Sequence, residues 1–247
     1  MIAVSLAAAC PETGTLVFPV TKDGLSGAAL PGLSPENVSL VRAGGAESRL
    51  DGEAGGIGEF FVAEGGKTRR ILLVGAGQGS AEDYEKLGAA VAARLLASGE
   101  SAAVIDLSGL AIKPSAAIVA RLAAGVVLRG WRHDIYRTKL PEKQKATLQT
   151  VTIVGAPEGS DAAWAQARSV TEGVGFTREL VTEPANIIYP ESFVERCRKL
   201  AELGVEIEVL GRRTIDLAHE GAPEAGQERR LLDRAVGLLR AVHDQRL

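Results

Sequence analysis

Arg70-Ile71-Leu72-Leu73-Val74-Gly75-Ala76-Gly77-Gln78-Gly79-Ser80 reads as a buried strand that runs into a glycine turn and then into a helix. The helix carries Tyr84, Leu87, Val91 and Leu95 at helical spacing. Ser80 suits its N-cap, with Asp83 three residues on as in a capping box, and Gly99 can close it. A second strand follows at Ala102-Ala103-Val104-Ile105-Asp106-Leu107, and a second helix is expected from Pro114 to about Leu128. Strand, helix, strand, helix is the signature of an α/β layer domain with parallel pairs.

Working outward toward the amino terminus, Glu59–Ala63 pairs with the opening strand as a hairpin through Gly65-Gly66-Lys67. Residues 22–57 are rich in Gly and Ser and are expected to be loop with one short helix or turn. Thr15–Val20 reads as a buried strand whose Pro19 belongs at an edge or a strand end, where a missing N–H is tolerated. Met1–Cys10 is apolar but lacks a basic start and is too short to span a bilayer. It reads as a first or edge strand, with a secretory segment as the alternative.

Toward the carboxyl terminus, Trp131-Arg132-His133-Asp134-Ile135-Tyr136-Arg137 is the densest polar and aromatic cluster. His133 beside Asp134 invites a general-base reading. Adjacent residues seldom face one another, however, and no nucleophile motif accompanies them, so a structural role is favoured. Thr150–Gly155 is the last strand of this unit. The helix from Ser160 or Asp161 is expected to pack Trp164, Ala167, Val170, Val174 and Val181 on one side. Arg178-Glu179-Leu180-Val181-Thr182-Glu183-Pro184-Ala185-Asn186 ends that helix, and Pro190-Glu191-Ser192-Phe193 opens another. The two prolines push Glu183 and Tyr189 toward extended conformations. Phe193, Cys197 and Leu200 then line a helix stopping at Gly204, which makes Cys197 a small core hydrophobe, and Val205–Leu210 alternates as a strand.

The chain has 247 residues, a net charge of −3 and 46% hydrophobic residues, so a sizeable aliphatic core is expected. The absence of a basic excess argues against a nucleic-acid or membrane-surface binder. The two cysteines, Cys10 and Cys197, lack metal-type spacing and fit a reducing, cytoplasmic compartment.

The Arg178–Asn186 stretch followed by Pro190–Phe193 closely resembles the segment that opens the catalytic domain of the leucyl aminopeptidases, the two-metal cytosolic aminopeptidases. The resemblance covers most of residues 1–210. It implies a macro-domain-like mixed sheet flanked by helices (1–157), a linker helix (158–183) and the start of an incomplete second α/β domain (184–210). It further implies peptide substrates and two divalent cations, zinc or manganese, in the parent family. One departure is Tyr189, where the family commonly has a helix-capping Thr or Ser. From Gly211 the sequence becomes atypical, with seven arginines and no lysine, although Leu231, Leu232, Ala235, Leu238, Leu239 and Val242 can line a terminal helix. The family's Gly-Lys-Gly, Asp-Ser-Gly-Gly and Asn-Thr-Asp-Ala-Glu-Gly-Arg segments do not occur. No catalytic or metal residue is therefore assigned, and a truncated or frame-altered member with a foreign tail is expected.

Two alternatives stand beside this reading. One is a dinucleotide-binding enzyme using Gly75, Gly77, Gly79 and Asp106, the glycines approaching a pyrophosphate and the acid a ribose. Ser80 at the third glycine position, and an Asp106 farther on than the usual spacing of about 20 residues, fit it poorly. The other is a non-catalytic interaction module. Apolar surface over residues 176–210 would drive homo-oligomerisation.

Overall fold

The computed structural model describes residues 1–11, 13–22, 24 and 29–209. It divides into two compact units, Met1–Thr182 and Glu183–Leu247. The first contains β1 (Ala3–Ala7), β2 (Thr15–Val20), α1 (Pro35–Glu47), β3 (Ile57–Glu64), β4 (Lys67–Gly75), α2 (Ala81–Leu95), β5 (Ala102–Asp106), α3 (Ala116–Gly130), β6 (Thr150–Val154) and α4 (Ser160–Thr182). The sheet order is β1-β6-β5-β2-β4-β3. Only β3 runs antiparallel, pairing with β4 through a two-residue turn. Gly65 and Gly66 take φ of 55° and 76° there, the positive values that a type I′ hairpin turn requires.

The central strands are buried on both faces, as parallel strands are, and read accordingly as continuous apolar runs. Alternation divides their side chains. Val17, Leu72, Val74, Ile105, Val151 and Ile153 face α2, α3 and Trp164 of α4. Leu16, Phe18, Ile71, Leu73, Val104 and Val154 face the opposite way, with Leu30, Val41 and Val62. Each such side chain contributes roughly 1.5–3 kcal/mol on full burial. Pro19 lies in a central strand, but at its end. The Val20 carbonyl accepts from the N–H of Ala76, just past the end of β4, so Pro19 turns its backbone toward β5, where pairing has already stopped at Val17. Its missing donor therefore costs no ladder bond.

The Ser80 cap forms as read, with Ser80 Oγ accepting from the Asp83 N–H (3.1 Å) and Asp83 returning a bond to the Ser80 N–H (3.2 Å). Helix α1, at 13 residues, is the single helix of the glycine-rich region. Three expectations change. On α4 the buried line is Trp164, Thr171 and Gly175, while Val170 and Val181 are 68% and 80% exposed. At about 100° per residue the valines stand roughly 80–120° off the buried line, because the close approach is made by small residues. In the second unit, α5 (Pro190–Cys197) leads into a 3-10 turn (Arg198–Leu203) closed by Gly204 at φ 83°. Residues 205–209 form no strand, since alternation alone gives no ladder without a neighbouring strand to pair with. Phe193 is 47% exposed and Cys197 half-buried, so Cys197 is not a core residue among those described. The Arg-rich tail and its expected terminal helix lie outside the described residues.

Helices α2 and α3 meet without side chains at the crossing. A Cβ at Gly88 would strike the Leu122 carbonyl oxygen, and one at Gly125 the Glu85 carbonyl oxygen. On an isolated helix Gly→Ala stabilises by about 1 kcal/mol. Here Gly88→Ala is expected to destabilise by about 1–3 kcal/mol, as overpacking does, and a urea midpoint above that of the parent would refute the interlock. A second prediction concerns Glu59, which accepts from Arg70 (2.6 Å) and Arg94. Desolvation raises its pKa, but the bonds from Arg94 and Arg70 outweigh it and hold the carboxyl below its ordinary value. A depressed carboxyl stabilises above its unfolded pKa of about 4.3 and loses this as pH falls through the folded value. Glu59→Gln should therefore lower stability at neutral pH and flatten its fall below about pH 5, read by denaturant titration across pH.

Candidate functional site

The glycine turn after β4 is occupied by the protein's own groups. The Gly77 N–H donates to the Gly52 carbonyl (2.9 Å) and the Gly75 N–H to that of Gly56 (2.8 Å). A Cβ at Gly75 would collide with the Glu53 carbonyl, so this glycine serves the close approach of segment 52–56. Asp83 Oδ2 accepts from the N–H groups of Gln78 (3.1 Å) and Ser80. Desolvation raises its pKa, and these bonds outweigh it, holding the carboxylate below its ordinary value. A fixed negative charge at the mouth of α2 repels the pyrophosphate that the dinucleotide reading needs. Asp106, the supposed ribose acid, ends β5, and β2 intervenes between β5 and β4. Gly75, Gly77, Gly79 and Asp106 therefore do not make one nucleotide site.

Asp106 belongs to a different constellation. Its side chain shares the sheet face of Val104, and the residue is only 4% exposed, with Oδ1 accepting from the Ser108 N–H (2.7 Å). Arg69 projects from the same face by its parity with Ile71 and Leu73. Both line a cavity of about 250 Å³ with Ala8, Cys10, Leu16, Pro31, Gly32, Ser108, Val154 and Gly155. Gly155 closes its floor at φ 74°, and a Cβ there would lie 2.6 Å from the Ser108 nitrogen. The cavity opens beside the carboxyl ends of β5 and β6, the side of an open α/β sheet on which ligands bind. Sequence reading missed Arg69 and Cys10 as site residues. The period-2 parity of β4 is the signal that places Arg69 on this face.

The remaining candidates are structural. Asp134 spends its carboxylate on Arg132 (2.5 Å) and Arg137 (3.5 Å), while the His133 ring stacks on Trp131 and meets Tyr136 edge-on. Arg178 donates to the Leu128 carbonyl in the last turn of α3 (2.6 Å) and lies over the Trp131 ring. Within the second unit, Glu183 is 7% exposed and pairs with Arg196 of α5 at 3.0 Å. Tyr189 offers no side-chain cap. Ser192 Oγ compensates, accepting from the Tyr189 N–H at 2.9 Å and donating to the Ile187 carbonyl at 2.8 Å.

A pair of divalent cations needs several carboxylates converging on one place. Among the described residues no three His, Cys, Asp or Glu side chains do so. Glu59, Glu64, Asp83 and Glu183 are each committed to arginines, Asn37 or backbone N–H groups. The described residues do not fit a two-ion centre. No helix among them is long and apolar enough to cross a membrane.

Comparison with known proteins gives a consistent answer. The pattern of the cytosol aminopeptidase family, N-terminal domain, matches residues 17–140. A probable cytosol aminopeptidase of Rhodopseudomonas palustris (strain TIE-1) is 35% identical over 221 residues, covering 87% of this chain and 44% of that protein. One from Methylorubrum extorquens is 34% identical over 201 residues, covering 80% and 40%. The chain thus spans less than half the length of these relatives. Among solved structures, a tomato leucine aminopeptidase mutant (K354E) superposes with a TM-score of 0.68 at 24% identity, over 87% of this chain and 46% of that one. The bottromycin maturation enzyme BotP in complex with Mn does so at 0.57 and 21%, over 77% and 36%. At these identities the superpositions speak to the fold alone. With the sequence match running across the sheet and helices described above, the chain belongs to the cytosol aminopeptidase family.

Proposed function

We propose that this chain is the non-catalytic amino-terminal part of a metal-dependent aminopeptidase that removes amino-terminal residues from peptides. The observation that carries this reading is the family match. It falls on the family's N-terminal domain, and the chain covers 44% of a relative 35% identical to it. In this reading residues 1–157 form the amino-terminal α/β domain, 158–183 the linker helix and 184–210 the start of the catalytic domain. Zinc or manganese belongs to the rest of the parent enzyme, peptides are its substrates, and the cytoplasm is its compartment.

The direct test is release of leucine from leucine p-nitroanilide by the purified 247-residue chain with added manganese or zinc. A chain folded by circular dichroism is expected to show no turnover above the metal blank. Chelator-sensitive turnover would overturn the non-catalytic assignment.

A second reading, a self-associating module, is favoured by the exposed apolar side chains of the second unit. Tyr189, Leu203 and Val205 are 52%, 72% and 45% exposed, and Ile187 and Phe193 are exposed as well. Large apolar side chains exposed together in one short segment favour an interaction site when they adjoin. Light scattering behind size exclusion is expected to show mass rising with concentration, and a monomer at every concentration would refute it.

A further inference from the structure

The sheet's second face is unevenly covered. Helix α1 packs over β3, and Leu30 and Val41 join the core there. The part carrying β6, β5 and Asp106 has no helix over it among the described residues, and there the face turns polar, with Ser5 and Thr152 in contact across β1 and β6 at 3.4 Å. Asp106 and Arg69 enter the cavity on this face from different strands.

Among the described residues neither charge is held in an ion pair, although Arg69 acts on Glu64 through space. Asp106 has one oxygen on the Ser108 N–H and, among the described residues, no cationic partner. The Arg69 Nη2 is shielded from solvent and has no hydrogen-bond partner. The two line the same cavity yet form no ion pair with each other. A buried charge and a buried guanidinium N–H left in this condition are costly, and a partner carrying the complementary groups relieves both. The surrounding wall is aliphatic, from Ala8, Leu16, Pro31 and Val154. The volume of about 250 Å³ is below the roughly 300–1,000 Å³ of sites that enclose drug-sized ligands, which leaves room for one small molecule and none for a dinucleotide.

We propose that this cavity binds a free aliphatic α-amino acid as its zwitterion. The ammonium group meets the Asp106 carboxylate, the carboxylate meets Arg69, and the side chain lies against Leu16, Pro31 and Val154. An α-amino acid carries its two charges on either side of one carbon, so it bridges two opposite protein charges that do not reach each other. The thiol of Cys10 stands at the same cavity. Its pKa is raised by desolvation and by the Asp106 charge, and Arg69 opposes the rise, so both charges act on it. An aliphatic amino acid is also the class of product released by the reaction proposed above. That link rests on the proposed activity, whereas the binding is read without any turnover.

Cys10 is exposed and makes a local reporter, with Cys197 of the other unit as internal control. The experiment is the iodoacetamide labelling rate of each cysteine in the full chain, followed by peptide mass spectrometry under added L-leucine. A ligand that occludes the thiol slows labelling by 1 + [L]/Kd, so at about 10 Kd Cys10 is expected to react roughly tenfold more slowly, with Cys197 unchanged. 4-Methylpentanoate, which is leucine without the ammonium, and isoamylamine, which is leucine without the carboxylate, are expected to give no protection at the same concentration. Asp106→Asn and Arg69→Gln are each expected to abolish it. The wild-type arms decide the matter even where a variant fails to fold. Unprotected Cys10 at about 50 mM L-leucine, a concentration that would occupy even a site with millimolar Kd, overturns the proposal. Equal protection by 4-methylpentanoate or by isoamylamine overturns it too.

Discussion

A parallel strand buried on both sides must be roofed on both sides, and that requirement governs the first unit of this protein. Right-handed crossovers carry β4 through α2 to β5 and β5 through α3 to β6, which sets both helices on one face. Helix α4 adds Trp164 to the same layer, its indole N–H reaching the Val4 carbonyl at 3.4 Å. The other face receives α1 over β3 and, among the described residues, has no comparable helix over β6. The strands respond in composition, with Leu, Phe and Ile where the roof exists and Ser5, Thr152 and Asp106 where it does not. The crevice is thus a product of topology before it is a product of any one residue.

The Arg178–Phe193 stretch that carries the family resemblance does structural work in this chain. Arg178 neutralises a carbonyl at the negative end of α3, a placement that suits a cation at a helix C-terminus. Glu183, almost wholly buried, is held by Arg196 thirteen residues on, so the residue before the first proline is tied to the helix that the second one opens. Ser192 supplies from inside α5 the reciprocal bond of a capping box, accepting from the Tyr189 N–H. These contacts explain why such wording persists in a segment with no convergent metal ligands among the described residues.

The elements most legible in the sequence were those settled within a few residues. The Ser80–Asp83 cap, the Gly65-Gly66 turn, Gly204 as a stop and Pro19 at a strand end all follow from backbone chemistry that needs no distant partner. What escaped depends on the partner. Val170 and Val181 are apolar at plausible spacing, yet α4 seats Thr171 and Gly175 against the domain, because closeness there mattered more than hydrophobicity. Residues 205–209 alternate well but have no ladder to join. Asp106 looked like a ribose acid because its place at the end of the next strand in sequence is visible and the intervening β2 is not. Arg69 was passed over, since nothing in its neighbours announces that a second strand will bring Asp106 to the same cavity.

The crossing of α2 and α3 has a consequence for how this sequence can drift. Backbone meets backbone at Gly88 and Gly125, so there is no side chain whose rotamer can absorb a change nearby. In a family diverging to about one third identity, most core positions can exchange one aliphatic shape for another while the volume is kept. These two have nothing smaller to exchange for. The separation of the helices is therefore an inherited dimension, and the strands beneath must vary around it.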